Sequence, residues 1–364
     1  MIRAATIGFS HMHINEVTEY IANCEYMELV GMADIPPVIP ELTDVTYTRP
    51  WNVKNNSEKY NMTVYNDYIK MLDELKPDIA FILCENVKKL EVVTECAKSG
   101  VNVSIEKPMA ISLEQALQIK KIVEESGIEA VINWPLTWRP HHHIQYEALK
   151  SGVIGKLMKC YFNLGNTGPL GKGVMHRGVM RVIEDITDEE RASTWWYNAE
   201  SGGGAFLDMG CYGCMVNTWI REDDDRPLSV MGFCGNYGTP YMNAPDNIAA
   251  FVEYKDSYGV IEGTWSIPQA SLPYGPILCG TEGVLYCDVD RKVRAMDLHG
   301  KEIELPEYEI ESHITNMPDY YGYCKANNLP LHKTVTLDWN IKVIALLDAA
   351  IKSAESGKRE KVEL

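Results

Sequence analysis

The sequence has little of what marks a membrane, secreted or nucleic-acid-binding protein. No apolar run approaches the roughly 20 residues that a membrane-spanning helix needs. The N-terminus, Met1-Ile2-Arg3-Ala4-Ala5-Thr6-Ile7-Gly8, lacks the basic start, apolar stretch and small-residue cleavage site of a secretory signal. It reads instead as a buried strand, and a cytoplasmic protein with no membrane partner is expected. Positive charge is also short: 34 Lys and Arg stand against 51 Asp and Glu, a net charge of −17. Nucleic acid and anionic membranes are thereby disfavoured, since phosphate contacts need clustered Lys and Arg. No internal repeat and no low-complexity tract is found. The ten cysteines lack a pairing pattern; Cys84, Cys160, Cys279 and Cys287 stand singly in apolar segments. Cys211-Tyr212-Gly213-Cys214 has no second pair, so it reads as reduced core thiols rather than as a redox or zinc site. His141-His142-His143 comes without a carboxylate cluster, and adjacent side chains point apart, so no metal is expected.

At 364 residues, 46% hydrophobic and 23% charged, the chain is globular and too long for one ordinary core. The first third alternates apolar runs with helical patterns, the signature of a parallel sheet with crossover helices. Strands are expected over 4–8, 29–33, 63–65, 79–83, 101–105 and 129–133, and helices over 15–21, near Glu58, and over 68–75, 87–99 and 113–126. Asn86 is the expected cap of the helix over 87–99, and Ser112 with Gln115 forms an S-x-x-Q capping box. Pro36, Pro37, Pro40 and Pro50 interrupt regular structure after Asp34. From Leu157 the pattern changes to half-buried alternating strands over 158–164, 249–254 and 260–265, and a last helix spans 337–356. The expected fold is α/β: an N-terminal doubly wound Rossmann domain over 1–133, then an α+β domain over 134–364 with a large open, mainly antiparallel sheet.

Ligands of a doubly wound sheet bind at the carboxyl ends of its strands, at the switch point. The first βα turn is Gly8-Phe9-Ser10-His11-Met12-His13, which keeps only the first glycine of the dinucleotide fingerprint G-x-G-x-x-G. Ser10 is small enough for a pyrophosphate to approach and adds a hydroxyl. His11 and His13 read either as solvated turn residues or as contacts to cofactor or substrate. Asp34 ends the second strand, where a carboxylate can bind the adenosine ribose hydroxyls. An acid there repels a 2′-phosphate, and no arginine occurs in 35–44, so NAD is expected over NADP. Cys84, Glu85 and Asn86 follow the next long strand, where a nicotinamide ribose can pass.

Two further segments carry more information. One is Val101-Asn102-Val103-Ser104-Ile105-Glu106-Lys107-Pro108; the other is Gly202-Gly203-Gly204-Ala205-Phe206-Leu207-Asp208-Met209-Gly210-Cys211-Tyr212. Strand-E-K-P followed by G-G-G-x-x-x-D-x-G-x-[HY], with 77–80 and the Gly280-Thr281-Glu282-Gly283 turn, resembles the glucose–fructose oxidoreductase / inositol dehydrogenase (Gfo/Idh/MocA) family over nearly the whole chain. The resemblance implies a nicotinamide-dependent oxidoreductase with Glu106, Lys107 and Asp208 beside the cofactor and Tyr212 completing the catalytic group. Many members carry histidine where Tyr212 stands. Oxidising an alcohol requires a base at the hydroxyl and a cation for the developing alkoxide. Lys107 suits the cation and Asp208 can orient the hydroxyl. Tyr212 is the expected base if the Lys107 charge lowers its pKa from the ordinary value near roughly 10. His176, in the Gly-rich loop over 171–177, is the other candidate base. Trp196, with Trp195, Trp134 and Trp138, can stack on a sugar or the nicotinamide, or simply pack.

The resemblance further implies a carbohydrate, polyol or glycoside as substrate, NAD held tightly through turnover in some relatives, and a homo-oligomer, dimer or tetramer, paired through the open sheet. Two other readings share the fold: a glycosidase that uses NAD to oxidise, eliminate and re-reduce, and a non-catalytic NAD-binding regulator. The retained Lys107 and Asp208 weigh against the regulator.

Overall fold

The computed structural model describes residues 1–171, 173–174, 184–221, 225–267, 275–288 and 290–364. The described residues form two sheets. The first contains β1 (Ile2–Ile7), β2 (Met27–Ala33), β3 (Val64–Tyr65), β4 (Ile79–Ile82), β5 (Asn102–Glu106) and β6 (Ala130–Asn133). All its pairings are parallel, in the order β3-β2-β1-β4-β5-β6. Every residue of β4 is buried, as a strand covered on both faces requires. Crossovers run through α1 (Ile14–Asn23), α2 (Arg49–Tyr60), α3 (Tyr68–Leu75), α4 (Lys89–Lys98) and α5 (Leu113–Ser126). The order reverses between β1 and β4, which opens a crevice at their carboxyl ends, above Gly8 and Cys84.

α6 (Pro140–Lys150) leads into the second sheet. Its strands are β7 (Leu157–Gly165), β8 (Ser229–Gly235), β9 (Asn247–Glu253), β10 (Tyr258–Thr264), β11 (Ile277–Gly280), β12 (Gly283–Cys287), β13 (Val293–Asp297), β14 (Glu302–Ile303) and β15 (Glu360–Lys361). They lie in the order β14-β13-β12-β11-β7-β10-β9-β8-β15, with β7 and β10 parallel and the other pairs antiparallel. The fold is thus the expected α/β type with a separate, mainly antiparallel sheet. Between β7 and β8 come the short α7 (Asp188–Ala192) and α8 (Cys211–Trp219); α9 (Met317–Asn327) and α10 (Leu337–Ser356) follow β14. α8 and α10 cover one face of the second sheet, while Met231, Phe233, Phe251 and Tyr258 stand exposed on its other face. α9 returns to the first sheet and packs on α1, so Met317, Tyr320, Tyr321 and Cys324 share a core with Ala4, Ile14, Val17 and Ile21. Among the described residues no helix is long and apolar enough to cross a membrane.

Three local expectations change. The helix near Glu58 is the 12-residue α2, and Pro50 opens it: in a first turn the missing N–H costs nothing. Asn86 does not cap a helix over 87–99; a 3₁₀ turn over Asn86–Lys88 precedes α4, and its amide binds elsewhere. Ser112 does cap α5 by accepting from Gln115 N (3.2 Å), but Gln115 Oε1 reaches back to Ile111 N (2.9 Å) rather than to the cap residue.

Candidate active site

The first βα turn is built by close approach. Gly8 has φ +90°, and a Cβ on it would lie 2.6 Å from Cys84 Cα and N, so both conformation and space demand glycine. The missing fingerprint glycines are replaced by a buried amide network reaching from α2. Asn52 Nδ2 donates to Phe9 O (2.9 Å) and Tyr47 O (3.1 Å). Asn15 Nδ2 donates to Met12 O (3.0 Å) and Asn52 Oδ1 (2.8 Å), and its own Oδ1 accepts from Asn55 and Asn56. Ser10 is buried, and among the described residues its Oγ has no hydrogen-bond partner, so the hydroxyl could serve a bound ligand.

Asp34, at the end of β2, is buried. Burial pushes its carboxyl up, with Arg49 and the Ile35 amide opposing. Arg49 Nη2 lies 2.5 Å from Asp34 Oδ2. This arginine opens α2, five residues beyond the window in which the sequence shows none. Two more acids adjoin it. Glu41 accepts from Arg49 N, and Glu85 accepts from Val38 N (2.9 Å). Burial raises each of these two carboxyls to about 7. The Pro-marked stretch over 35–48 therefore straps this end of the crevice. Leu42 N donates to Ser193 Oγ and Thr46 Oγ1 to Glu184, both from the chain between β7 and β8. Cys84 is fully buried, and burial pushes its thiol up to about 12.

At the other end of the crevice, β5 ends on Glu106 and Lys107 follows it. Glu106 is held on both oxygens, by His13 Nδ1 (3.0 Å) and Asn133 Nδ2 (2.9 Å). Burial alone would raise its pKa; the charges of His13, Lys107 and Lys89 outweigh that and hold it below its ordinary value. His13 N donates to His11 Nδ1 (3.1 Å). The ligand atoms of His11, His13 and Glu106 come within 4.8 Å of one another, a grouping that could hold a metal ion and that the sequence does not suggest.

Lys107 is 2% exposed and donates to Asp208 Oδ1 (2.9 Å) and Asp208 O (3.1 Å). Burial works against its charge, but the Asp208 carboxylate prevails and keeps the ammonium protonated well above its ordinary range. The other carboxylate oxygen accepts from Trp265 Nε1 (3.1 Å). Lys107 Nζ lies 4.4 Å from the centroid of the Tyr212 ring, and Trp134 meets the same ring edge-on. The expected lowering of the Tyr212 pKa is not found. Burial raises it, and the Lys107 charge, engaged by Asp208 and placed over the ring face, offsets only part.

Trp196 and Trp195 sit over the first βα turn. Trp195 Nε1 donates to Ser10 O (2.6 Å), and Trp196 packs on His11 with ring centroids 4.6 Å apart. His176 lies outside the described residues. His141, His142 and His143 are buried on α6; burial lowers the pKa of all three, and His143 Nε2 bonds Thr137 O. Cys211 and Cys214 are buried in α8 with thiols raised by burial, the opposite of a reactive pair. A cleft of about 1310 Å³ opens beside Lys107, Asp208 and Tyr212 and runs past Asn133, Trp138 and Arg139.

Sequence reasoning misses Lys89, Asn52, Asn133 and Trp265. Lys89 is fully buried, and burial lowers it to about 8; its Nζ donates to Asn86 Oδ1, Glu106 O and Pro108 O. The available signal is weak: a lysine at the start of a helix normally reads as surface charge.

Comparison with known proteins agrees with this architecture. The oxidoreductase family with an NAD-binding Rossmann fold, Gfo/Idh/MocA, matches residues 2–133, and the Gfo/Idh/MocA C-terminal domain matches residues 145–286. A trans-1,2-dihydrobenzene-1,2-diol dehydrogenase of Xenopus tropicalis is 23% identical over 283 residues, 75% of each chain. A D-xylose 1-dehydrogenase [NADP(+)] of Haloarcula marismortui is 22% identical over 68% of this chain and 64% of its own. Among solved structures, the aldose–aldose oxidoreductase of Caulobacter crescentus superposes with a TM-score of 0.74 at 16% identity, covering 99% of both chains. With both halves matched, in order and on the residues that build the crevice, the chain belongs to the Gfo/Idh/MocA oxidoreductase family.

Proposed function

We propose that this oxidoreductase transfers a hydride between a ring hydroxyl of a sugar, polyol or glycoside and the nicotinamide of NAD. The observation that carries the reading is the Lys107–Asp208 contact of 2.9 Å, with Tyr212 beside it, at the wall of a large polar and aromatic cleft. Gly8, Ser10 and the turn amides would hold the pyrophosphate, and Asp34 the adenosine ribose. Trp196 would cover the turn. The nicotinamide, when bound, accepts or returns the hydride. Lys107 stabilises negative charge developing on the substrate oxygen, and Asp208 keeps the ammonium charged and aimed. Tyr212 exchanges the hydroxyl proton. Because burial raises its proton affinity, its resting form is the phenol, an acid suited to the carbonyl-reducing direction.

NAD is favoured over NADP by charge. Asp34 already pairs with the Arg49 guanidinium, and Glu41 and Glu85 adjoin it, so a 2′-phosphate would enter against carboxyl groups. The Haloarcula relative is named for NADP(+), which makes this a point to measure. The strap over 35–48 supports slow cofactor release. The exposed Met231, Phe233, Phe251 and Tyr258 support pairing of two copies through the second sheet. Ten unpaired cysteines are in keeping with a cytoplasmic protein.

The test is absorbance of reduced nicotinamide with NAD and a panel of sugars, polyols and glycosides, for the wild type and Tyr212→Phe. Turnover by the wild type and its loss in Tyr212→Phe, with cofactor affinity kept, supports the reading. Free sugar released from a glycoside without net reduction would replace it with the redox-assisted glycosidase, and bound NAD with no turnover would replace it with the regulator.

A further inference from the structure

Lys107 and Asp208 meet across the junction of the two sheets, so their contact depends on what holds the E-K-P turn against the triple-glycine turn. One buried pair of side chains spans that junction. The Lys89 ammonium, 0% exposed, donates to Glu106 O (2.6 Å) and Pro108 O (2.7 Å), the carbonyls on either side of Lys107. Its third hydrogen bond goes to Asn86 Oδ1 (2.7 Å). The other end of that amide, Asn86 Nδ2, donates to Gly202 O (2.7 Å) in the second half of the chain.

Gly202 accommodates this contact and little else. Its φ is +77°, and a Cβ on it would lie 2.8 Å from Asn86 Cβ. From Gly202 the chain runs directly to Asp208: Gly203 N bonds Asn198 O, Gly204 N bonds Trp196 O, and Asp208 N bonds Gly204 O. The path Gly202–Asn86–Lys89–Glu106/Pro108 is therefore a continuous set of buried hydrogen bonds whose two ends carry the two members of the ion pair. A lysine whose three donors all go to uncharged oxygens, with no carboxylate at ion-pair distance among the described residues, is costly to bury, and this one stands at a point where backbone position matters.

We infer that Asn86 and Lys89 are positioning residues that lock the Lys107 turn to the Asp208 turn and so set the geometry of hydride transfer without touching the substrate. The inference rests on the proposed function for its kinetic part only. Asn86→Asp keeps an acceptor for Lys89 but loses the donor to Gly202 O; Lys89→Met keeps the length and loses every donor. Each variant, purified with NAD, is compared with the wild type for kcat, KM, NAD affinity, Tm and hydrogen–deuterium exchange.

The expected result for Asn86→Asp is a kcat lower by roughly 10–100-fold, with KM and NAD affinity within about twofold, because misplacing reacting groups by about an ångström costs that much. Exchange rises together over 105–109 and 201–208. An unchanged kcat, or a loss that follows Tm and NAD affinity in proportion, would overturn the inference. Should Lys89→Met fail to fold, Asn86→Asp decides alone. Should the wild type oxidise none of the panel, the proposed function fails separately, and the exchange data decide: a coupled rise over both segments supports the lock, while a rise over one or neither overturns it.

Discussion

Lys107 and Asp208 stand 101 residues apart in the chain and touch, ammonium to carboxylate, at 2.9 Å with almost no water access to the lysine. This contact joins the residue just after β5 to the π-turn over Phe206–Gly210 that leads into α8. Removing one partner leaves the other charge buried, which costs about 3–5 kcal/mol, whereas removing both costs far less. Lys107→Met and Asp208→Leu are each expected to lower Tm more than the double variant does. Thermal denaturation of all four proteins checks this; additive losses would show the pair uncoupled.

The raised pKa of Tyr212 gives a pH signature. A base acts in its deprotonated form, and a phenol pushed above its ordinary value near roughly 10 is almost wholly protonated at neutrality. Oxidation should therefore accelerate close to tenfold per unit between about pH 7 and 9, without levelling off in that range. Reduction, which uses the phenol as acid, should stay flat. Initial rates in both directions decide. An oxidation profile that levels near roughly pH 7 would assign the base to an imidazole such as His176.

Asn52 is expected to matter for cofactor rather than for chemistry. Asn52→Leu strips donors from the Phe9 and Tyr47 carbonyls and an acceptor from Asn15, all buried. Leaving such groups unsatisfied costs about 1–3 kcal/mol. The expected outcome is NAD affinity weakened about tenfold, the change that 1.4 kcal/mol produces, measured by NADH fluorescence titration. The exposed Asn23→Ala serves as a control with unchanged affinity.

At the adenosine end, Asp34→Ala frees Arg49 from its ion pair and removes one acid from the site of a 2′-phosphate. The preference for NAD over NADP should narrow or invert, by roughly 10–100-fold in the ratio of kcat/KM, as expected for loss of a charge-assisted contact and of like-charge repulsion. Steady-state rates with both cofactors measure it, and an unchanged ratio would place discrimination elsewhere.

The elements that were legible in the sequence are those whose signals are local. Tyr68–Leu75 and Leu337–Ser356 come out residue for residue, because apolar periodicity and flanking caps define them without tertiary help. The motif residues Lys107, Asp208 and Tyr212, singled out through the family resemblance, lie in contact in the structure. What the sequence hides is reach. Arg49 lies too far along the chain from Asp34 to be connected by a motif window, and Pro50 beside it reads as a breaker rather than a helix opener. Asn86 reads as a helix cap because local hydrogen bonding favours that role, yet a carbonyl 116 residues away claims its amide. Nothing local in the sequence marks Lys89, since only the fold shows three oxygens around its nitrogen. The Tyr212 pKa depends on burial against Lys107, a balance that spacing does not encode.

The most direct test of the account is single-turnover spectroscopy on the purified, NAD-loaded protein mixed with the glycoside or sugar that the panel selects, for the wild type and Lys107→Met. A reduced-nicotinamide signal approaching one equivalent is expected in the wild type, and a rate constant lower by about 10²–10³-fold in Lys107→Met with cofactor still bound. Equal rates in the two proteins would contradict it, because the cation placed against Asp208 would then have no part in the hydride step.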